Sequence, residues 1–236
     1  MSPDAAIEAR FERDGFLVVP AVLGAAELAK VRDHLDGFDV PGNGQVAVSL
    51  DHDPTAAALA SHTSLVGLAR RLLGGDCEAF GFTYLVKPSR SPLVVLWHQD
   101  GHPWHQRGIL DALTVWVALD DAGADSGGLR VVPGSHRLPL HPLRPNTAVA
   151  NMFGWESPAE IVDEAAAIDI TLHPGDVSVH HRALVHSSGE NRTDRRRAAL
   201  GLRYRRDPEH PGTSTSPGSS EAGTKPPSAA DRADTT

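Results

Sequence analysis

Between residues 78 and 205 the chain is cut by Gly and Pro into short apolar runs, and this limits the folds open to it more than any other feature. Strand candidates fall at 79–87, 93–98, 112–119, 128–132, 168–172, 176–180 and 197–205. Runs this short, with turn residues between most of them, suit strands better than helices. The period upstream is different. Residues 5–16 read as a short helix leading to Asp14-Gly15, followed by the apolar strand Phe16-Leu17-Val18-Val19. From Gly24 to Phe38, helical spacing puts Leu28, Val31, Leu35 and Phe38 on one face. Residues 46–50 are a further short strand candidate. Residues 54–73 read as one or two helices ending at Gly74-Gly75, with Leu59, Leu65, Leu68 and Leu72 as the buried stripe. A helical preamble before many short strands predicts a mainly β protein, an antiparallel barrel or sandwich with flanking helices packed outside.

Composition narrows the function. A formal charge of −8 argues against nucleic acid as a partner, which would need a basic face. Cys77 is the only cysteine, so neither a disulfide framework nor a thiolate metal site is available. The opening segment MSPDAAIEAR lacks the apolar stretch of a signal peptide, and no run approaches the ~18 apolar residues of a membrane span. The expectation is a soluble, cytoplasmic protein. Residues 1–206 form the expected catalytic domain. Its longest non-strand interval, 141–167, is a lid candidate with a weak helix over 158–167. Residues 207–236, dominated by Pro, Gly, Ser and Thr, read as a disordered tail.

The chemistry-bearing stretch is Trp97-His98-Gln99-Asp100. On a strand, residues two apart project to the same face, so His98 and Asp100 can grip one divalent metal from one side. A third ligand must come from elsewhere, and His180, His181 and His186 compete for the role within one short window. His186 is favoured by its sequel. Asn191 follows it, and then Arg197 opens an apolar strand, where an unpaired guanidinium is costly unless an anion meets it. A small dicarboxylate bound by that fork would be such an anion. Two His and one carboxylate on one face of an octahedron leave open positions, as in non-haem Fe(II) oxygenases.

Features in order through residues 11–205 extend the pattern. They are Phe11-Glu12-Arg13-Asp14-Gly15-Phe16, Lys87-Pro88, the His98-x-Asp100 stretch, Trp116, and Ser126-Gly127-Gly128-Leu129-Arg130-Val131-Val132-Pro133-Gly134-Ser135-His136. Gly175-Asp176-Val177, His186-Ser187-Ser188-Gly189-Glu190-Asn191 and Arg197 complete them. Together they resemble the phytanoyl-CoA dioxygenase (PhyH) family of Fe(II)- and 2-oxoglutarate-dependent oxygenases. The chain departs from the family at Ser126, where Asn is usual, and at Ser187, where Gly is common. The resemblance implies a double-stranded β-helix (jelly-roll, cupin-like) core, with His98, Asp100 and His186 as iron ligands. It implies that Arg197 pairs with the distal carboxylate of 2-oxoglutarate, assisted by Ser188. Trp116 and Gln99 would line the cosubstrate pocket, and Thr83 falls near another cosubstrate contact. Cofactors would be Fe(II), 2-oxoglutarate and O2, and the products succinate, CO2 and a hydroxylated substrate.

Related halogenases carry Gly or Ala at the position of Asp100, so its carboxylate favours hydroxylation. Desaturation, epimerisation and cyclisation remain open alternatives. His102, Trp104 and His105 should rim the substrate pocket, and His180, His181, Arg182 and Arg203 would suit a polar or anionic substrate. A small polar or natural-product-like metabolite is the expected substrate of a secondary-metabolism hydroxylase, with no nucleic acid or membrane partner, acting as monomer or homodimer. Two other readings stand beside this one. The first is a cupin-type metal-dependent isomerase or oxygenase without 2-oxoglutarate, and the second is a non-catalytic binding barrel.

Overall fold

The computed structural model describes residues 3–46, 50–147 and 150–207. The tail expectation beyond Asp207 and most of the expected strand at 46–50 lie outside the described residues. In chain order the main elements are α1 (Pro3–Asp14), β1 (Phe16–Val19), α2 (Ala25–Asp36), β2 (Gln45–Val46), α3 (Pro54–Ala60) and α4 (Thr63–Leu73). Then follow β3 (Cys77–Lys87), β4 (Val95–His98), α5 (Gly101–His105), β5 (Ala112–Ala118), β6 (Leu129–Val131), β7 (Arg144–Pro145) and β8 (Trp155–Glu156). The last are β9 (Ile168–Asp169), β10 (Val177–His181), β11 (His186–Ser188) and β12 (Arg197–Arg206).

Two antiparallel sheets face each other. The larger runs β1-β10-β5-β12-β3-β2 and the smaller β4-β11-β6-β9, while β7 and β8 pair separately. Helices cover the outer face of the large sheet. Leu28, Val31, Leu35, Leu59 and Leu65 pack there against Phe82, Tyr84, Val86, Leu200 and Leu202. The inner face presents the alternate residues, and Trp116, Ala118 and Ala199 meet Leu129, Val131 and Leu184. Strand β5 is buried along its whole length because both its faces are covered, which is why it reads as an almost unbroken apolar run.

Local signals explain the element ends. Glu27 accepts a hydrogen bond from the Gly24 N–H at 2.9 Å, starting α2. Asp53 accepts from Ala56 N at 2.8 Å with Pro54 in the first turn of α3, and Gly74 closes α4 in the left-handed region at φ 70°. Two expectations need correcting. The buried stripe of α4 is Leu65, Ala69 and Leu73, whereas Leu68 and Leu72 are half-buried, because the sheet lies under the i, i+4 row. The interval 141–167 holds no α-helix among its described residues. It contains the β7–β8 hairpin and two single 3-10 turns, Ala159–Ile161 and Glu164–Ala166.

Gly127 lies where the small sheet approaches the segment after His186. Its φ is +72°, and a Cβ there would come within 2.6 Å of the Gly189 carbonyl oxygen and 2.9 Å of Lys87 Cδ. Gly127→Ala combines left-handed strain with a backbone clash, so it should lower the unfolding free energy by about 2 kcal/mol or more. Denaturant titration checks this; a change under about 0.5 kcal/mol, the size of an ordinary surface substitution, would contradict it.

Candidate metal centre

Strands β4 and β11 are antiparallel neighbours, and His98 stands directly opposite His186. Their rings lie 4.1 Å apart between centroids. The chain leaves β4 in a helical turn at Asp100, which occupies the N-cap position of α5 without capping it by its side chain. The carboxylate turns back toward the imidazoles instead. Asp100 Oδ1 is 3.4 Å from His98 Nε2 and 4.0 Å from His186 Nε2. One ligand atom from each residue lies within 4.8 Å of the other two. His180 and His181 end a different strand in the other sheet, so the distal segment is split and His186 alone joins the cluster.

Hydrogen bonding decides which nitrogen is free. His98 Nδ1 lies 2.9 Å from the Leu96 carbonyl oxygen, and His186 Nδ1 lies 2.9 Å from the Leu184 carbonyl oxygen. A carbonyl only accepts, so each Nδ1 carries the proton and each Nε2 keeps a lone pair. Burial, with His98 and His180 adding, holds His186 well below the usual imidazole range and therefore neutral. Two lone pairs thus converge on a carboxylate oxygen, and His98 Nε2 is buried without a hydrogen-bond partner. That arrangement is unfavourable until a cation fills the centre. The donor set, two imidazoles and one carboxylate, fits Fe(II).

The second oxygen of Asp100 is held separately. Thr114 Oγ1 donates to Asp100 Oδ2 at 2.7 Å, and His180 Nε2 lies 3.4 Å from the same atom. Thr114 and His180 are paired across β5 and β10, so the large sheet fixes the carboxylate that the small sheet's histidines face. Burial opposes ionisation of Asp100, but the contacts with His180 and His98 outweigh it and keep the carboxyl well below its usual range. Sequence reading missed this role of His180; alternation along 112–119, which puts Thr114 and Trp116 on one face, was a usable signal for Thr114.

A narrow cavity of about 40 Å³ runs from the three candidate ligands to Arg197, lined by Trp116, Ser188, Leu129 and Thr114. Arg197 is 1% exposed. Its NH1 donates to the Leu85 carbonyl at 3.0 Å, its carbon Cζ lies 5.7 Å from the Trp116 ring centroid, and its Nε has no partner. No carboxylate lies within ion-pair distance of it among the described residues. Burial lowers the Arg197 guanidinium to about 10, so it remains charged at neutral pH.

Lys87 stands opposite Arg197 across β3 and β12 and is fully buried. Its Nζ donates to Ser188 Oγ at 2.7 Å and to the carbonyls of Ser188 and Gly189, tying the segment after His186 to the large sheet. Burial, reinforced by Arg197, pushes the Lys87 ammonium down to about 6. In the unfolded chain a lysine keeps its proton to about pH 10.4, so unfolding takes up a proton between about pH 6 and 10. Stability of the metal-free protein should therefore rise with pH across that window and level off below it. Lys87→Met should flatten the rise in denaturation midpoints; equal slopes for the two proteins would contradict this assignment.

The remaining sequence candidates distribute unevenly. Gln99 is fully buried, and its amide is committed to backbone. Its Nε2 donates to the carbonyls of Ala183 (2.9 Å) and Pro139 (3.2 Å), and its Oε1 accepts from His141 N. It borders a second, outer cavity of about 280 Å³, not the chamber that holds Arg197. Trp104 lines that outer cavity, while His102 and His105, on the same short helix, are not among its lining residues. Thr83 faces neither cavity directly; its hydroxyl accepts from Arg203 NH2 at 3.0 Å and lies 2.8 Å from the Phe82 carbonyl.

Known proteins share the sequence pattern and the fold. The model of the phytanoyl-CoA dioxygenase (PhyH) family matches residues 11–199. L-proline trans-4-hydroxylase of Streptomyces griseoviridis is 30% identical over 234 residues, covering 86% of this chain and 87% of that protein. Among solved structures, the epimerase SnoN in complex with Fe3+, alpha ketoglutarate and nogalamycin RO gives a TM-score of 0.68 at 29% identity, over 86% of this chain and 83% of its own. EctD from S. alaskensis with 2-oxoglutarate and 5-hydroxyectoine gives 0.69 at 25% identity, over 86% and 76%.

Proposed function

Since the chain belongs to the phytanoyl-CoA dioxygenase family, we propose that it hydroxylates an unactivated C–H bond of a small metabolite at a centre built from His98, Asp100 and His186. It is an Fe(II)- and 2-oxoglutarate-dependent oxygenase with a cupin-like core, acting on a small molecule. When bound, the iron couples oxidation of the substrate by O2 to decarboxylation of 2-oxoglutarate, giving succinate, CO2 and an alcohol.

The chain's own residues orient and exclude. His98 and His186 present Nε2 lone pairs, and Asp100 supplies one negative charge while Thr114 and His180 hold its other oxygen. Arg197 receives the distal carboxylate of 2-oxoglutarate against the Trp116 ring, and Lys87 fixes the Ser188 hydroxyl beside it. The interval 141–167 contributes Leu143, Phe153 and Trp155 to the outer cavity and acts as its lid. The observation that carries the reading is the buried Arg197, without a counter-ion among the described residues, lining the same narrow cavity as three converging ligand atoms.

Its relatives include a proline hydroxylase and an ectoine dioxygenase, which supports a compact substrate. Likeness to an epimerase keeps epimerisation as the second reading. Incubation with L-proline, ectoine and related small acids under isotopically labelled O2 separates them. Hydroxylation adds one labelled oxygen to the product. A product of unchanged mass with inverted configuration would replace that conclusion with epimerisation.

A further inference from the structure

We propose that Arg203 recognises a carboxylate on the primary substrate, making this a hydroxylase of small organic acids; the proposal rests on the oxygenase reading above. Alternation along β12 sends Arg197, Ala199, Gly201 and Arg203 to the inner face. The two arginines are six residues apart, about 20 Å along a strand, so one occupant of the narrow cavity does not engage both as a pair. Arg203 is the cation shared by the narrow cavity and the outer cavity, whose common wall also includes His98, Asp100 and Phe153.

Its surroundings prepare it for an anion. Thr83 Oγ1 lies 2.8 Å from the Phe82 carbonyl, which takes the hydroxyl proton, so its lone pair accepts from Arg203 NH2 and fixes the guanidinium plane. No carboxylate lies within ion-pair distance of Arg203 among the described residues, and the nearest negative charge acting on it is Asp100. A metal at the centre claims the charge of Asp100 and leaves the half-buried Arg203 without compensation, an unfavourable state for a partly desolvated cation. The neighbouring residue is open rather than obstructive: Gly81 faces the guanidinium, and a Cβ there would still be 3.8 Å from Arg203 NH1.

Aromatic walls define the rest of the ligand. Phe153 packs edge-on to the His98 ring at 5.2 Å, and Trp104 packs edge-on to Phe80 at 5.2 Å in the wall of the outer cavity. A compact acid with an apolar skeleton would set its carboxylate on Arg203 and its carbons against Phe153, beside the three candidate ligands. A planar fork gripping a carboxylate bidentately fixes which carbon points at the metal, so Arg203 would determine regiochemistry as well as affinity.

The test uses matched pairs in which the acid becomes a neutral amide: L-proline and L-prolinamide, cyclohexanecarboxylate and its carboxamide, benzoate and benzamide. Binding is read without oxygen from Trp fluorescence of the full chain loaded with Fe(II) and 2-oxoglutarate. Acids should bind about tenfold or more tighter than their amides. Arg203→Gln should erase that preference while keeping the visible charge-transfer band of the cosubstrate complex, and Thr83→Ala should weaken it partially. Acids that bind no better than amides to the wild type, or no binding by any acid, would overturn the proposal. Loss of the band in Arg203→Gln would reassign Arg203 to the cosubstrate. Absence of the band in the wild type would instead remove the oxygenase reading beneath it.

Discussion

Asp100→Ala should lose both iron and turnover while the protein stays folded. Asp100 is the only carboxylate in the metal-competent cluster among the described residues, His98 and His186 turn Nε2 toward it because each Nδ1 donates to a backbone carbonyl, and burial holds His186 neutral. Removing it leaves two imidazoles and no negative charge to offset a dication. Loss of an outer-shell partner alone costs about 10–100-fold in metal affinity, so loss of the carboxylate ligand should exceed about 100-fold. The apo protein should still fold, with its loss of stability limited to the contacts that Thr114 and His180 make with Asp100 Oδ2. Equilibrium iron binding and thermal melting, measured on the same preparation, check both halves. Iron affinity within tenfold of wild type would remove Asp100 from the ligand set.

Arg197→Leu should separate stability from cosubstrate binding in opposite directions. The guanidinium is buried with one hydrogen bond to the Leu85 carbonyl, an unpartnered Nε and no counter-ion within ion-pair distance. Replacing an uncompensated buried charge by an apolar side chain of similar volume is often neutral or stabilising, so the metal-free protein should melt at the same temperature or higher. Removing one partner of a buried charge pair costs about 2–5 kcal/mol, or roughly 30-fold and upward in affinity for 2-oxoglutarate. Titration calorimetry with Fe(II) present reads the second effect. Unchanged 2-oxoglutarate affinity would remove Arg197 from the cosubstrate site.

Much of this centre was legible from residue order, because alternation and spacing are local. His98-x-Asp100 and the inward face of β12 follow from the period of two, and the helical preamble follows from its period of 3.6. What was not legible was register. Nothing in one sequence says that His98 faces His186, or that Thr114 faces His180 from the opposite sheet, since a strand's pattern fixes its faces but not its partner. The same limit hid Lys87 beneath Ser188 and gave Thr83 an expected cosubstrate contact, whereas its hydroxyl holds Arg203. Gln99 was expected in the cosubstrate pocket. Alternation already sends it to the opposite side from its neighbours, where its amide binds the backbone of two passing segments.

The most direct test of the account is the visible metal-to-ligand charge-transfer band formed when Fe(II) and 2-oxoglutarate are added without oxygen. The account predicts a band in the wild type, none in Asp100→Ala, and in Arg197→Leu one that needs far more 2-oxoglutarate. Wild-type protein that binds iron but gives no band with 2-oxoglutarate would contradict it.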